Sequence, residues 1–146
     1  MKTVNLFFFI TLLHFTVYGQ KPEVYATSSG IAVNGYDVVS YFTELQPVKG
    51  SDEYSFKWKG ADWRFSSDKN LELFKANPEK YAPQFGGYCA YGVAEDHTAP
   101  TKPDAWTIVD DKLYLNYNTD VRKLWREKTD KYIKEGNKNW PAVLSK

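Results

Sequence analysis

Cys89 is the only cysteine of the chain, and its thiol is the side chain with the most distinctive chemistry. It lies in the run Gly-Gly-Tyr-Cys-Ala-Tyr at residues 86–91, directly after a glycine pair. If Gly87 caps a helix, the thiol lies in the first helical turn, where unpaired N–H groups and the helix dipole favour a thiolate. The alternative is a buried cysteine that packs as a small apolar side chain.

A metal ion at Cys89 would need further ligands from a short inventory. Beyond residue 19 the chain has a single histidine, His97, and no methionine. A site built only from sulfur and imidazole therefore cannot reach three or four ligands within one chain. A mixed site would join Cys89 and His97 to a carboxylate such as Asp96 or Asp37. The same Cys–His pair is the minimum for nucleophilic catalysis, and the alternative for His97 is a solvated loop histidine.

Two segments of alternating aromatic and polar residues predict β-hairpins. The first covers residues 54–65 with a turn at Lys59, and the second covers residues 106–116 with a turn at Asp110. Capping residues predict short helices around the hairpins, with starts at Ser66 or Ser67, Asn77, Gly87 and Asn118. The pattern predicts an α+β domain in which a small antiparallel sheet of two β-hairpins packs with several short helices.

The first residues have the features of a secretory signal peptide. Lys2 supplies a positive charge, residues 6–13 are apolar, and residues 17–19 offer a cleavage site before Gln20. The apolar run is shorter than the roughly 20 residues that cross a bilayer. We therefore expect a cleaved signal peptide at residues 1–19 and a periplasmic or extracellular protein. An uncleaved N-terminal anchor is the alternative.

Length and charge fit a single neutral domain after the signal peptide. The chain has 146 residues and a formal net charge of +1. We expect an extended leader at residues 20–34 and one domain at residues 35–146. A neutral balance argues against nucleic acid or anionic lipid as the main partner. No later segment is apolar enough to insert into a membrane, and the sequence leaves the oligomeric state open.

Tryptophan is abundant and offers two interpretations. The chain has five tryptophans, at positions 58, 63, 106, 125 and 140. Most of them lie at strand or helix positions with core periodicity, which favours packing in the interior. The alternative is a platform for a sugar or an apolar ligand, which one or two exposed indoles in a groove would favour.

Four motifs together resemble those of the exported YHS-domain proteins of bacteria. They are GYDVVSYF at residues 35–42, NPEKY at 77–81, GGYCAY at 86–91 and the segment 106–116. The resemblance covers residues 30–142. It implies a YHS core at residues 50–92 and a relationship to short metal-handling modules that occur with copper-transporting ATPases and some oxygenases.

The chain departs from those metal-handling relatives in one segment. The relatives carry one cysteine after the second strand and another at the helix start, whereas residues 65–70 here read Phe-Ser-Ser-Asp-Lys-Asn. The resemblance therefore implies the fold but not the position of a metal site. It also implies a pocket that joins Asp37 to the motif of Cys89, with Tyr88 and Tyr91 as further ligand-binding candidates. The alternative for Asp37 is a helix cap.

The sequence as a whole favours an exported, non-catalytic binding module. Its ligand would be a small molecule, or copper or another soft metal ion held by Cys89 and His97. Copper is implied by the resemblance and not by the ligand count. Two alternatives stay open: a thiol-dependent redox protein or enzyme, and a structural or interaction protein with a buried, inert Cys89.

Overall fold

The computed structural model describes residues 19–146, which form two antiparallel β-hairpins and several short helices. Strand β1 (Ser51–Trp58) pairs with β2 (Ala61–Phe65), and β3 (Trp106–Val109) pairs with β4 (Lys112–Leu115). The predicted α+β class and both predicted hairpins are confirmed. The hairpins form two separate two-stranded sheets, however, because no strand of one hydrogen-bonds to the other within the described residues.

Six α-helices lie before, between and after the hairpins in the part of the chain that the structure describes. They are α1 (Ser40–Thr43), α2 (Asp68–Ala76), α3 (Pro78–Tyr81), α4 (Ala90–Ala94), α5 (Thr119–Glu127) and α6 (Thr129–Asn139). Ser67, Asn77 and Asn118 each accept a hydrogen bond from a backbone N–H of the first turn of the helix that follows. These short polar side chains satisfy donors that the helix itself leaves unpaired, which is why they begin α2, α3 and α5.

A first hydrophobic cluster lies between the first hairpin and α2. Successive residues of β2 alternate between its buried and its outer face, so that Ala61, Trp63 and Phe65 all point inward. Phe74 of α2 lies among them, with its ring centroid 5.1 Å from that of Trp63 and 5.0 Å from that of Phe65. This cluster joins the first hairpin, α2 and α3 into one packed layer.

A second hydrophobic cluster joins α4, α5, α6 and the second hairpin. Trp125 of α5 is fully buried, and its ring lies 5.1 Å from that of Tyr114. Helix α6 approaches Phe85 so closely that a Cβ at Gly136 would lie 2.6 Å from the edge of that ring. Glycine at this position therefore allows α6 to pack directly on the 3-10 segment Gln84–Gly87.

The segment that precedes the domain packs against both clusters. Val24 is buried, and the backbone N–H of Tyr25 donates to the carbonyl of Gly86 at 2.8 Å. The N–H of Val33 donates to the carbonyl of Tyr25 at 2.9 Å, so the segment folds back on itself before the 3-10 turn Val33–Gly35. The predicted signal peptide lies almost wholly outside the described residues. Within residues 19–146 no helix is both long and apolar enough to cross a membrane.

Candidate functional site

The thiol of Cys89 is enclosed at the start of α4. The residue is 2 % exposed, and its Sγ accepts a hydrogen bond from the N–H of Gly92 at 3.4 Å. A second N–H, that of Tyr117 beyond the end of β4, donates to Sγ at 3.3 Å. Cys89 is thus itself the N-cap of α4, and not a residue of its first turn as a cap at Gly87 predicts. Its side chain joins the helix to the second hairpin.

The third neighbour of the thiol is the side chain of Asn116. Its Oδ1 lies 3.6 Å from Sγ and also accepts the N–H of Tyr91 at 3.1 Å. Because the backbone N–H of Tyr91 donates to this atom, the atom is the amide oxygen of Asn116 and not its nitrogen. The S–H of Cys89 is therefore the donor in the contact between the two side chains. Asn116 is fully buried, and its Nδ2 has no hydrogen-bond partner among residues 19–146. Sequence analysis missed Asn116, whose only signal is a polar residue directly after a buried strand.

These surroundings favour the protonated thiol. Burial raises the pKa of Cys89, and hydrogen bonds from backbone N–H groups offset that effect only in part. A thiolate would also face the lone pairs of the Asn116 oxygen. The helix dipole has little influence because α4 has only five residues.

The donor set around Cys89 does not fit a soft metal ion. A bound metal requires a deprotonated thiol and further nitrogen, sulfur or carboxylate ligands. The Sγ atom instead contacts two N–H donors and one amide oxygen. Among residues 19–146, no group of three or more histidine, cysteine, aspartate and glutamate side chains is arranged to hold an ion. The Nδ2 atom of Asn116 is a donor and cannot serve as a ligand.

His97, the other predicted metal ligand, lies on the surface beyond α4. Its side chain is exposed, and Nδ1 lies 3.3 Å from the carbonyl oxygen of Glu95. Its backbone N–H donates to Gly92 at 3.0 Å and thereby closes the turn after the helix. The histidine therefore has the position of a loop residue that stabilises the end of α4.

Tyr88 and Tyr91 contact different parts of the chain. The hydroxyl of Tyr88 donates to the carbonyl of Pro22 at 2.9 Å, and burial raises the pKa of this phenol. The ring of Tyr91 lies 5.1 Å from that of Tyr132, and the neighbouring phenol raises the pKa of Tyr91. Tyr88 thus holds the N-terminal segment, whereas Tyr91 packs on α6.

Asp37 forms a separate buried centre. Its Oδ1 accepts the N–H groups of Val39 and Ser40 at 2.9 and 3.3 Å, at the start of α1. Its Oδ2 accepts the N–H and the hydroxyl of Ser66 at 2.8 and 2.7 Å, and the amide of Asn70 at 2.7 Å. The carboxylate therefore ties α1 to the end of β2 and to α2. Within the described chain its hydrogen-bond partners and those of Cys89 do not overlap.

A cavity of about 160 Å³ opens between the two hydrophobic clusters. We call it the aromatic cleft, and the residues that matter for its chemistry are Glu23, Trp58, Lys59, Glu79, Asn137 and Trp140. Trp58 and Trp140 are half-buried, whereas Trp63 and Trp125 are 1 % and 0 % exposed. Trp63 and Trp125 therefore pack in the interior, whereas the partly exposed indoles of Trp58 and Trp140 line the cleft.

A charged network lies at the rim of the aromatic cleft. The ammonium of Lys59 lies 2.7 Å from a carboxylate oxygen of Glu23 and 3.4 Å from one of Glu79. It also lies 4.8 Å from the centroid of the Trp58 ring. The hydrogen bond to Glu23 raises the pKa of Lys59, so the ammonium stays charged. One lysine between two carboxylates leaves the rim with one excess negative charge.

Gly86 allows three segments to converge on the aromatic cleft. The residue has φ of +61°, and a Cβ there would lie 1.8 Å from the carbonyl oxygen of Glu23 and 3.3 Å from the Trp140 ring. Only glycine has both the backbone freedom and the space for this approach. The N-terminal segment, the 3-10 segment Gln84–Gly87 and the end of α6 therefore meet at this position.

Comparison with known proteins detects a YHS domain at residues 39–85, which span α1, the first hairpin, α2 and α3 and end at Phe85. This match is the ground on which a metal ion such as copper is a candidate ligand. The match includes Asp37's partners Ser66 and Asn70 but ends before Cys89. No curated protein and no solved structure matches the chain.

Proposed function

We propose that this protein is an exported, non-catalytic binding module and that its ligand binds in the aromatic cleft. Export is supported by the charged start, the short apolar run and the cleavage spacing of residues 1–19. The protein would then act in the periplasm or outside the cell. The YHS domain would supply one wall of the binding site, and residues before and after it would supply the other.

The observation that carries this proposal is the position and lining of the aromatic cleft. Ligand sites are typically concave, with aromatic walls and a few polar groups that orient the ligand, and they occur where structural units meet. The cleft combines two half-buried indoles with carboxylate, ammonium and amide groups at the junction of the two clusters. The lining of the cleft includes none of the predicted site residues, which are Asp37, Tyr88, Cys89, Tyr91 and His97.

The surroundings of Cys89 argue against a thiol enzyme. A nucleophilic cysteine needs a base within hydrogen-bond reach, usually a histidine. The partners of Sγ are backbone N–H groups and the oxygen of Asn116, and His97 lies on the surface. We therefore propose that Cys89 caps α4 and fixes it to the second hairpin, and that it takes no part in catalysis or in metal binding.

A comparison of the wild type with Cys89→Ser tests this role. Serine retains a hydrogen-bonding atom at the N-cap but not the soft ligand or the reactive sulfur. We expect no stoichiometric metal in either untagged protein by elemental analysis. We also expect the native thiol to react with a maleimide far more slowly than the unfolded one, with the rate increasing toward alkaline pH, because burial raises the pKa of Cys89.

Two results would contradict the structural role of Cys89. One is about one equivalent of copper in the wild type that is absent from the serine variant. The other is rapid labelling of the folded protein at neutral pH, which would indicate an accessible thiolate.

Binding in the aromatic cleft is tested with a variant that fills it. Asn137 is exposed and lines the cleft, so Asn137→Trp places an indole in the cavity without disturbing the core. Lys138→Trp is the matched control, since this neighbouring side chain is 77 % exposed and is not part of the lining. The probes are a neutral sugar glycoside, choline and a sugar carboxylate. Their binding to each protein is measured by ligand-observed NMR.

The proposed function predicts that at least one probe binds the wild type and the control but not the filled variant. If every probe behaves identically toward all three proteins, the cleft is not a binding site and the proposed function is wrong.

A further inference from the structure

We infer that the aromatic cleft takes the ring of a neutral saccharide. This inference rests on the proposed function and specifies its ligand. It follows from four features of the cleft: its indole walls, the donors and acceptors at its rim, its charge and its size.

The two indoles provide flat apolar walls with polar groups beside them. Trp58 and Trp140 come from different parts of the chain and are both half-buried, so part of each ring remains available. A sugar ring in its chair form has a patch of C–H groups on one face and hydroxyls around its edge. Burial of the C–H patch against an indole removes apolar surface from water while the hydroxyls stay at the rim.

The polar groups at the rim match hydroxyls in their hydrogen-bonding character. Glu23 and Glu79 accept hydrogen bonds, Lys59 donates them, and the amides of Gln84 and Asn137 do both. A hydroxyl is also donor and acceptor at once, so it can pair with any of these groups. A ligand with only donors or only acceptors would leave part of this set without a partner.

The charge of the rim argues against an ionic ligand. The excess negative charge of Glu23, Lys59 and Glu79 repels an anion. A cation is disfavoured for a different reason. The ammonium of Lys59 already lies over one face of the Trp58 ring and repels a second cation beside it. The sugar ring would therefore stack on Trp140, with Trp58 and Lys59 beside it.

The size of the cleft limits how much of the ligand it encloses. Its volume of about 160 Å³ is below the roughly 300–1,000 Å³ typical of sites for drug-sized molecules. It therefore encloses a single ring. A second cavity of about 440 Å³ adjoins it, shares Glu23 and Trp140, and extends over Gln20 and Leu144. This position would receive the next sugar unit of a longer chain.

Titration calorimetry with methyl glycosides and disaccharides of glucose, galactose and N-acetylglucosamine tests the inference, with methyl glucuronide and choline as charged comparisons. We expect at least one neutral sugar to bind the wild type and Lys138→Trp. Its disaccharide should bind more tightly than the single ring. Affinity should fall at least tenfold in Asn137→Trp, whose folding is checked by circular dichroism.

A second variant tests the charge argument without filling the cleft. The Glu79 side chain is 74 % exposed, so Glu79→Gln removes the excess charge at little structural cost. We expect methyl glucuronide to bind the wild type at least tenfold more weakly than the neutral glycoside. The ratio of the two affinities should narrow severalfold in Glu79→Gln. This ratio is the readout, because Glu79 also lies among the groups that pair with sugar hydroxyls and its replacement can weaken both ligands. An unchanged ratio would contradict the charge argument.

The outcomes separate the inference from the proposed function. If choline or the glucuronide binds the cleft more tightly than every neutral sugar, the saccharide assignment is wrong and the binding function remains. If no probe distinguishes Asn137→Trp from Lys138→Trp, both are wrong.

Discussion

Asp37→Asn is expected to lower the free energy of unfolding by about 3–5 kcal/mol, comparable to the loss of one partner of a buried charged pair. The fully buried carboxylate accepts five hydrogen bonds from Val39, Ser40, Ser66 and Asn70. Asparagine has the same shape, but it replaces one carboxylate oxygen with an NH₂ group. The N–H and O–H groups that donate to that oxygen then have no acceptor. Since small domains are stable by only about 5–15 kcal/mol, this is a large fraction of the total.

Chemical denaturation followed by circular dichroism measures the effect, with Asp62→Asn as the matched control. The Asp62 side chain is 44 % exposed and forms an ion pair with Lys57 at 3.3 Å. Exposed pairs of this kind contribute about 0–1 kcal/mol, so the control should remain close to the wild type. Equal stability of the two variants would show that Asp37 does not hold α1, β2 and α2 together.

Gly86→Ala is expected to destabilise the protein by about 2–4 kcal/mol through strain and overlap. The new methyl group would lie 1.8 Å from the carbonyl oxygen of Glu23, which is far inside contact distance. The N-terminal segment must therefore move away, and the hydrogen bond from Tyr25 to Gly86 is weakened or lost. Because Glu23 and Trp140 line the aromatic cleft, ligand binding should fall together with stability.

Gly60→Ala is the control that separates backbone strain from overlap. Gly60 has φ of +74°, close to the +61° of Gly86, but no atom of the described part of the chain lies within 4 Å of its Cβ position. Gly60→Ala should therefore lower the free energy of unfolding only through backbone strain, by about 1–2 kcal/mol. If Gly86→Ala costs no more than this control in thermal and chemical denaturation, the close approach of the N-terminal segment is not a constraint on the fold.

The elements were predictable from sequence where their cause is local. The alternation in residues 54–65 and 106–116 produced both hairpins, and Ser67, Asn77 and Asn118 begin helices through their own side chains. Each of these signals acts within a few residues, so no knowledge of the fold was needed. The separation of the hairpins into two sheets has no local signal, because it depends on how distant segments pack.

The environment of Cys89 could not be predicted in the same way. Its spacing from Gly87 predicted a position in the first helical turn, whereas Cys89 is itself the cap. The thiol is buried, as the alternative interpretation had it. The groups that enclose it, Asn116 and Tyr117, lie 27 and 28 residues further along the chain. Asp37 was open to two interpretations, and the hydrogen bonds that it accepts from the N–H groups of Val39 and Ser40 at the start of α1 favour the capping role. Its further contacts with Ser66 and Asn70 could not be predicted from local sequence.

The aromatic cleft depends on segments that are distant in sequence. Glu23, Lys59, Glu79 and Trp140 come from four different parts of the chain, and each alone has an ordinary surface pattern. The abundance of tryptophan indicated that a platform was conceivable, but only the fold separates Trp58 and Trp140 from the buried indoles. Periodicity identifies the buried side of an element and not the place where two elements leave a gap.

The central claim is that the ligand binds in the aromatic cleft and that Cys89 is structural. Its most direct test is calorimetric titration of a neutral disaccharide into the wild type, Cys89→Ser and Asn137→Trp under identical conditions. The account predicts that the serine variant binds within about twofold of the wild type and that the tryptophan variant binds at least tenfold more weakly, a difference of about 1.4 kcal/mol or more. Loss of binding in Cys89→Ser with full binding in Asn137→Trp would contradict it.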